Sequence, residues 1–473
     1  MEDSILKRFT GDIRVWIIFF FLLRLYGITN PPLETSHNWR QTTVTMVARN
    51  FLEKDNNIFY PRIDFAGEKT GITGMEFPFL NYLIYLCSLV FGYGHWYGRL
   101  INLLISSLGL YYFYLLIRKY FQGRIAFMAT IFLLLSVWFT FSRKIMPDTF
   151  SMSLITIGFY YGSNYLDKVQ SVRNLLLYAL FTLLGVLSKL PSGYILILYA
   201  FFLFNKEITF RAKVYFSVVT ACIGTVISVF YFYWVPYLTK QYEFSHFFMG
   251  KNMSVGLTEI MGNLNDTLEK FYLEALGYSG FLIFILGLVF IIYKNQKKLI
   301  YLFTLATIGF LAIVLKSGLT FYAHDYYIIP FAPVMALIAA YGMEQIQNKK
   351  VIVLTLCLFT IESIARKNID FYIKEENKAI IQLEEVMDRL GSRNDLVAIN
   401  SGAVPTPMYF SHRKGWVENN EQLSNGCHIA KLKSKGLKFI IILKRAFGRD
   451  VILPYKQIFD NADFRIYRLD KFI

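Results

Sequence analysis

Several stretches of the sequence concentrate side chains that could move a proton or hold a phosphate. The string Glu34-Thr-Ser-His37-Asn-Trp39-Arg40-Gln41 sets an acid, an imidazole, a guanidinium and an amide close together. Arg62 and Asp64 follow in Tyr60-Pro-Arg-Ile-Asp, and Glu76 in Gly74-Met-Glu-Phe-Pro78. Further along come Arg143-Lys144 with Asp148, then Lys189, then Tyr322-Ala-His324-Asp325-Tyr326-Tyr327. A carboxylate or imidazole could take a proton from a hydroxyl. Guanidinium and ammonium groups could hold a phosphate and stabilise it as it departs. The four cysteines show no CxxC or Cys/His zinc spacing and imply no disulfide framework. No cofactor is specified with certainty, and a divalent metal is left open.

These groups need a scaffold, and the rest of the sequence supplies a membrane one. Of 473 residues, 55% are hydrophobic, 18% aromatic and only 17% charged, with a mean hydropathy of +0.41; a soluble chain would carry about a quarter charged residues. The apolar residues come in blocks such as Val15–Leu23, Ile125–Val137, Phe281–Tyr293 and Leu299–Leu315, which are apolar all round rather than on one face. Trp16–Ile28 has no A-x-A cleavage site and reads as a first anchor. The net charge of +16 could suggest nucleic acid, but its placement argues against that partner. Basic residues cluster at Lys7/Arg8/Arg14, Arg118/Lys119/Arg124, Lys168/Arg173, Lys206/Arg211/Lys213, Lys294/Lys297/Lys298 and Lys349/Lys350. They fall between every second pair of apolar blocks, which is the positive-inside pattern, with the lipid bilayer and its anionic headgroups as partners.

The sequence therefore predicts a polytopic α-helical protein of the cytoplasmic membrane with about eleven transmembrane helices and a cytoplasmic N-terminus. Residues 1–366 form the transmembrane part, with a long first outer loop over 30–95 and a second over 237–276. Residues 367–473 form a small extracytoplasmic α/β domain. In it Asn377–Leu390 reads as an amphipathic helix closed by Gly391, residues 396–400, 439–443 and 464–469 as strands, and 428–435 as a helix between them. Trp96, Trp138 and Trp234 fall at the expected outer interfaces, where indole rings prefer to sit. This topology puts the chemically equipped residues at the outer ends of the helices.

The order of short motifs adds a resemblance. Ala48-Arg49-Asn50-Phe51-Leu52, Glu76-Phe-Pro78-Phe, Gly98-Arg99-Leu100, Asp148, Leu187-Ser-Lys189 and His324-Asp-Tyr326-Tyr327 with Pro330 follow one another over nearly the whole chain. The set resembles the GT-C glycosyltransferases, specifically the bacterial and archaeal relatives of protein mannosyltransferases and aminoarabinose transferases. Their matching segments are of the AREML, KPPL, ARL, PDAL, LTK and HYLLP types. The resemblance implies transfer of a sugar from a polyprenyl-phosphate donor to a glycan, lipid or protein acceptor on the outer face, with inversion at the sugar carbon. It also implies that an acid of the first outer loop serves as base. There this sequence departs from the pattern: the family's Asp-Glu pair falls on Arg40-Gln41, and the lysine of KPPL falls on Glu76. Candidate bases are Glu34, His37, Asp64 and Glu76, with Glu34 and Glu76 favoured because a carboxylate needs only modest tuning. Phosphate or sugar contacts are expected from Arg40, Gln41, Arg24, Arg62, Arg143, Asp148, Lys189, His324 and Tyr327.

Plainer roles compete with each of these. Arg24 could snorkel to the interface. Arg40 and Gln41 could brace a loop helix, Asp148 after Pro147 could be a helix-start acid favoured by the dipole, and Lys189 could be a loop residue. His324 and Asp325 could make interfacial hydrogen bonds. Two other functions remain open: a transporter or flippase of lipid-linked saccharide, and a non-catalytic envelope assembly protein. The transporter reading expects charges at mid-helix and an internal repeat; the charges here gather at one interface, and no repeat is visible.

Overall fold

The computed structural model describes residues 11–167 and 170–469, so Lys7, Arg8 and Lys168 of the basic clusters lie outside the described residues. The chain divides into two compact units. One comprises Met1–Ile28, Arg99–Tyr231 and Phe248–Ile369; the other comprises Thr29–Gly98, Phe232–Phe247 and Asp370–Ile473.

The first unit holds the apolar blocks, and they are helical. Among the described residues four helices are long and apolar enough to cross a membrane: Tyr97–Tyr120, Phe210–Tyr242, Lys297–Ser317 and Asp325–Glu344. A fifth arises if Leu264–Ala275 and Gly277–Tyr293, bent by 95° at their junction, count as one span. The remaining apolar blocks give helices of unequal length. Ile13–Leu23 has 11 residues and Gly123–Leu134 has 12, which at about 1.5 Å per residue fall short of the roughly 30 Å hydrocarbon core. The segment after Lys189 begins as a 3-10 stretch, Leu190–Tyr199, before turning α-helical over Ala200–Phe204. Helix Phe210–Val229 continues past Pro236: a π turn at Phe230–Trp234 leads into Val235–Tyr242, with the proline in the first helical turn, where its missing N–H costs nothing.

Close approach of backbones holds the centre of this unit. A Cβ at Gly158 would meet the Thr182 backbone nitrogen at 3.0 Å, and one at Gly185 would meet the Ser151 carbonyl at 3.0 Å. These two glycines let helix Pro147–Asp167 lie against helix Val172–Ser188, as small residues do between membrane helices. The Ser151 hydroxyl then donates to the Gly185 carbonyl at 2.7 Å.

The second unit contains a five-stranded sheet in the order β2-β1-β3-β5-β4, with β1 Leu396–Ile399, β2 Gly415–Val417, β3 Leu437–Leu443, β4 Lys456–Asp460 and β5 Phe464–Arg468. β1 pairs in parallel with β2 and β3, while β5 runs antiparallel to β3 and β4. The three strands expected from sequence are β1, β3 and β5. The two unexpected ones, β2 and β4, are edge strands, short or exposed, and carry little apolar alternation. The expected amphipathic helix is interrupted: Glu375–Lys378 and Leu383–Leu390 flank a 3-10 turn at Ala379–Gln382.

The segment read as a polar outer loop folds into this same unit. Helix Asn38–Glu53 is buried over most of its length. It shares one hydrophobic core with the sheet, in which Met46, Val47 and Phe51 join Ile399, Met408, Ile441 and Phe464. Its threonines can be buried because their hydroxyls return to the helix, Thr42 to Asn38 O at 2.9 Å, Thr43 to Trp39 O at 2.8 Å and Thr45 to Gln41 O at 3.0 Å. Beyond it the chain turns back through a bridge between Arg62 and Ile72, and Gly415 at the start of β2 donates to the Asp64 carbonyl at 2.9 Å.

Candidate active site: two clusters of buried charge

In the second unit, Arg40 on helix Asn38–Glu53 forms an ion pair with Glu76, and both side chains are buried. Both Glu76 carboxylate oxygens are buried; Oε1 is turned to the Arg40 guanidinium, and Oε2 has no hydrogen-bond partner among the described residues. The segment that carries Glu76 is fixed by Gly74, where a Cβ would meet the Val235 carbonyl oxygen at 2.5 Å. Glu34 is completely buried, and its Oε2 accepts from the Gln41 amide at 3.1 Å. His37 caps the helix start in the left-handed region, at φ +63°.

His246 approaches from the segment after Tyr242: its Nδ1 lies 3.4 Å from the Thr73 hydroxyl, and its ring meets Phe65 edge-on. Burial, reinforced by the nearby Arg40 charge, pulls its pKa down to about 4, so the imidazole is neutral at physiological pH. Asp64 and Arg62 are engaged differently. Asp64 Oδ2 takes the Arg49 guanidinium at 2.9 Å and its Oδ1 takes the Asn50 amide at 2.9 Å. Arg62 pairs with Asp55 at 2.9 Å.

In the first unit, Asp148 stands in the first turn of helix Pro147–Asp167 and faces Lys189, whose ammonium lies 3.3 Å from its Oδ1. Asp148 Oδ2 is buried without a hydrogen-bond partner among the described residues. The same ammonium sits 5.1 Å from the Tyr326 ring centre and 5.6 Å from that of Tyr327. His324 stacks on Tyr326 with centroids 5.2 Å apart, and Asp325 pairs with Lys270 at 2.6 Å. Asp148, Tyr326 and Tyr327 thus gather around the Lys189 ammonium, and His324 joins them by stacking on the tyrosine rings.

Arg24 and Arg143 are held elsewhere in this unit. Arg24 donates to the Phe20 carbonyl at 2.9 Å and to the Ser142 hydroxyl, over the Phe139 ring. Arg143 donates to the carbonyls of Tyr26 and Gly27. Both tie the end of helix Ile13–Leu23 to the turn before Asp148.

Three contributors were not singled out from the sequence. Asn102 donates to the carbonyls of Phe141, Lys144 and Met146 at 2.9, 2.8 and 3.2 Å and accepts from Thr149, fixing the turn that presents Asp148. A lone asparagine in an apolar helical run was the available signal. Lys270 was similarly visible as an isolated cation amid aromatic residues. His246 gave no pattern, because its place depends on a contact between loops distant in sequence.

Comparison with known proteins follows the same lines. Residues 76–234 match the model of the dolichyl-phosphate-mannose-protein mannosyltransferase family. No match was found among curated proteins. ArnT from Cupriavidus metallidurans bound to undecaprenyl phosphate superposes with a TM-score of 0.58 at 11% identity, covering 96% of this chain and 98% of that one. The archaeal oligosaccharyltransferase AglB from Archaeoglobus fulgidus, in complex with an inhibitory peptide and a dolichol-phosphate, superposes with a TM-score of 0.55 at 12% identity, covering 90% of this chain and 69% of that one. At such identities the likeness is one of fold. The chain is a multi-pass membrane protein with the fold of the GT-C glycosyltransferases, and its residues 76–234 carry the sequence signature of the mannosyltransferase family model.

Proposed function

We propose that the protein is a membrane glycosyltransferase that moves a sugar from a polyprenyl-phosphate carrier to a glycan, lipid or protein acceptor on the outer face of the cytoplasmic membrane. The observation that carries this reading is the buried Arg40–Glu76 pair. Arg40 stands where the family resemblance expects an acid, and Glu76 where it expects a lysine. The two departures compensate, since the pair keeps one anion and one cation and exchanges which element bears each. A buried ion pair is expensive to keep for stability alone, and one oxygen of this carboxylate has no hydrogen-bond partner among the described residues, as suits a group awaiting a ligand. The undecaprenyl phosphate bound to ArnT and the dolichol-phosphate and peptide bound to AglB support a polyprenyl carrier.

In this reading Arg40 meets the donor phosphate and Glu76 takes the acceptor proton. The acceptor hydroxyl oxygen attacks the anomeric carbon as its proton passes to Glu76. The bond from that carbon to the phosphate oxygen breaks, its electron pair leaves with the polyprenyl phosphate, and configuration inverts. A phosphate that engages Arg40 frees the Glu76 carboxylate to take the acceptor proton. Glu34, oriented by Gln41, is the second acid available to the acceptor. Lys189 with Asp148, Tyr326 and Tyr327 offers a cation for phosphate and aromatic faces for a sugar ring. Arg24, Arg143, Arg62 and Asp64 brace the scaffold through their backbone and ion-pair partners. The reading retains about eleven membrane passages, with residues 367–473 extracytoplasmic.

The test is release of free polyprenyl phosphate from polyprenyl-phosphate sugars by the purified protein in nanodiscs. Release by the wild type and its loss in Glu76→Gln is the expected result. Wild-type release by both Glu76→Gln and Glu34→Gln would refute the base assignment. No release with any such donor, together with movement of the lipid-linked sugar across the bilayer, would make the protein a transporter.

A further inference from the structure

The first unit contains a cavity of about 500 Å3 that none of the candidate site residues lines. Its walls are apolar, formed by Phe113 and Ile117 of helix Tyr97–Tyr120, Phe159 of helix Pro147–Asp167 and Leu337 of helix Ala332–Glu344. Its charged residues are Asp167 at the end of helix Pro147–Asp167, Glu207 in the turn after Phe204 and Lys298 at the start of helix Lys297–Ser317. Asp167 closes the helix that Asp148 opens, so the Asp167 end of the cavity lies about 30 Å along that helix from Asp148, at 1.5 Å per residue. The residues at this end, Lys119, Arg124 and Lys294 among them, belong to the basic clusters expected on the cytoplasmic side.

The charges at the cavity are not equivalent. Asp167 is already engaged, by the Lys119 ammonium at 2.8 Å and by the Tyr120 hydroxyl. The other two, Glu207 and Lys298, make no ion pair among the described residues and are exposed. The cavity therefore presents an apolar slot of ligand size with one uncommitted anion and one uncommitted cation beside it.

We propose that this cavity binds one acyl chain of a zwitterionic glycerophospholipid with a primary ammonium headgroup, of the phosphatidylethanolamine class. The phosphate faces Lys298 and the ammonium faces Glu207. Charge complementarity selects this occupant. A polyprenyl phosphate or an anionic glycerophospholipid brings only negative charge and leaves Glu207 opposed. A choline headgroup has the right charges, but its quaternary nitrogen carries no N–H to donate to the carboxylate. The acyl chain would pack against the 3-10 segment Leu190–Tyr199, through Ile195 and Leu198, where the backbone is least regular.

Native mass spectrometry of the purified full chain, titrated separately with phosphatidylethanolamine, phosphatidylcholine, phosphatidylglycerol and undecaprenyl phosphate, tests this. Partly exposed ion pairs contribute modestly, so the expected preference for phosphatidylethanolamine over each of the others is about three- to fivefold. Glu207→Lys is expected to turn that preference toward phosphatidylglycerol, and Ile195→Trp to lower occupancy by every lipid while leaving sugar transfer unchanged. Equal binding of all four lipids, an unaltered preference in Glu207→Lys, or displacement of phosphatidylethanolamine by undecaprenyl phosphate at equal concentration would each overturn the proposal. None of these readouts depends on sugar transfer.

Discussion

Two arginines on one helix, Arg40 and Arg49, each hold a buried carboxylate, and the two pairs are built to different ends. Nine positions separate them, which at 3.6 residues per turn places them on about opposite faces of helix Asn38–Glu53. The Arg49 pair is saturated. Asp64 receives Arg49 on one oxygen and Asn50 on the other, while Arg49 also donates to the Tyr409 carbonyl at 3.0 Å and lies over the Tyr409 ring at 4.5 Å. Burial alone would lower the Arg49 pKa, and the adjacent Asp64 charge outweighs it and raises it. The Arg40 pair has the same charges and similar burial, but Arg40 meets only one oxygen of its carboxylate, and the other has no hydrogen-bond partner among the described residues. A saturated pair holds two segments together; an unsaturated one keeps capacity for a ligand.

That contrast can be broken from the Glu76 side first. Glu76→Gln should reduce sugar transfer by the folded protein by about 100- to 10,000-fold, the range for removing a general base, at a smaller stability cost than truncation at Asp64, because the glutamine keeps the side-chain volume and its carbonyl can still accept from Arg40. Polyprenyl phosphate release and detergent-phase melting measure the two. The reverse is expected on the other face: Asp64→Ala strands the Arg49 guanidinium and should cost about 3–5 kcal/mol of stability, while the folded fraction turns over normally. A Glu76 variant that unfolds, or an Asp64 variant that folds well and is inactive, would exchange the two roles.

The first unit offers a milder version. Asn102→Ala removes the donor shared by three carbonyls in the turn before Asp148. It should cost about 1–3 kcal/mol, the penalty for buried groups left unpaired, and lower activity through misplacement of Asp148.

The smallest effect concerns His412, which lies in the second unit between Glu384 at 2.7 Å and Glu53 at 2.9 Å, with Arg393 also at 2.7 Å. Burial and the Arg49 charge lower its pKa, but the two carboxylates prevail and raise it above the ordinary imidazole value. Its stabilising contribution is therefore complete below about pH 6.5 and is lost as pH rises through the raised folded value. The unfolding midpoint should fall between pH 6 and pH 8, and His412→Gln should flatten that slope.

Particular residues show how much was legible in advance. The apolar blocks announced their helices because hydrocarbon demands uninterrupted hydrophobicity, and they did so even where the helix proved short or 3-10. Strands β1, β3 and β5 were legible from their apolar runs, while β2 and β4 were not, since edge strands carry little pattern. Glu34, Arg40, Glu76, Asp148 and Lys189 were nameable as chemically equipped groups in a membrane chain. Their partners were not. The spacing from Arg40 to Glu76 carries no periodicity, and Arg24 and Arg143 look as functional in sequence as Lys189 does.

The sequence alone determined that this chain enters a membrane, where its charges gather, and which family its motifs resemble, because those properties depend on composition and order along the chain. Tertiary structure decided that the supposed first loop is a buried helix sharing a core with the C-terminal sheet, and that Arg40 meets Glu76 while Arg49 meets Asp64. The physical reason is that desolvation and hydrogen-bond saturation are properties of neighbours in space. Two arginines on one helix carry identical charge, and only the residues packed around each distinguish a brace from a candidate reaction centre.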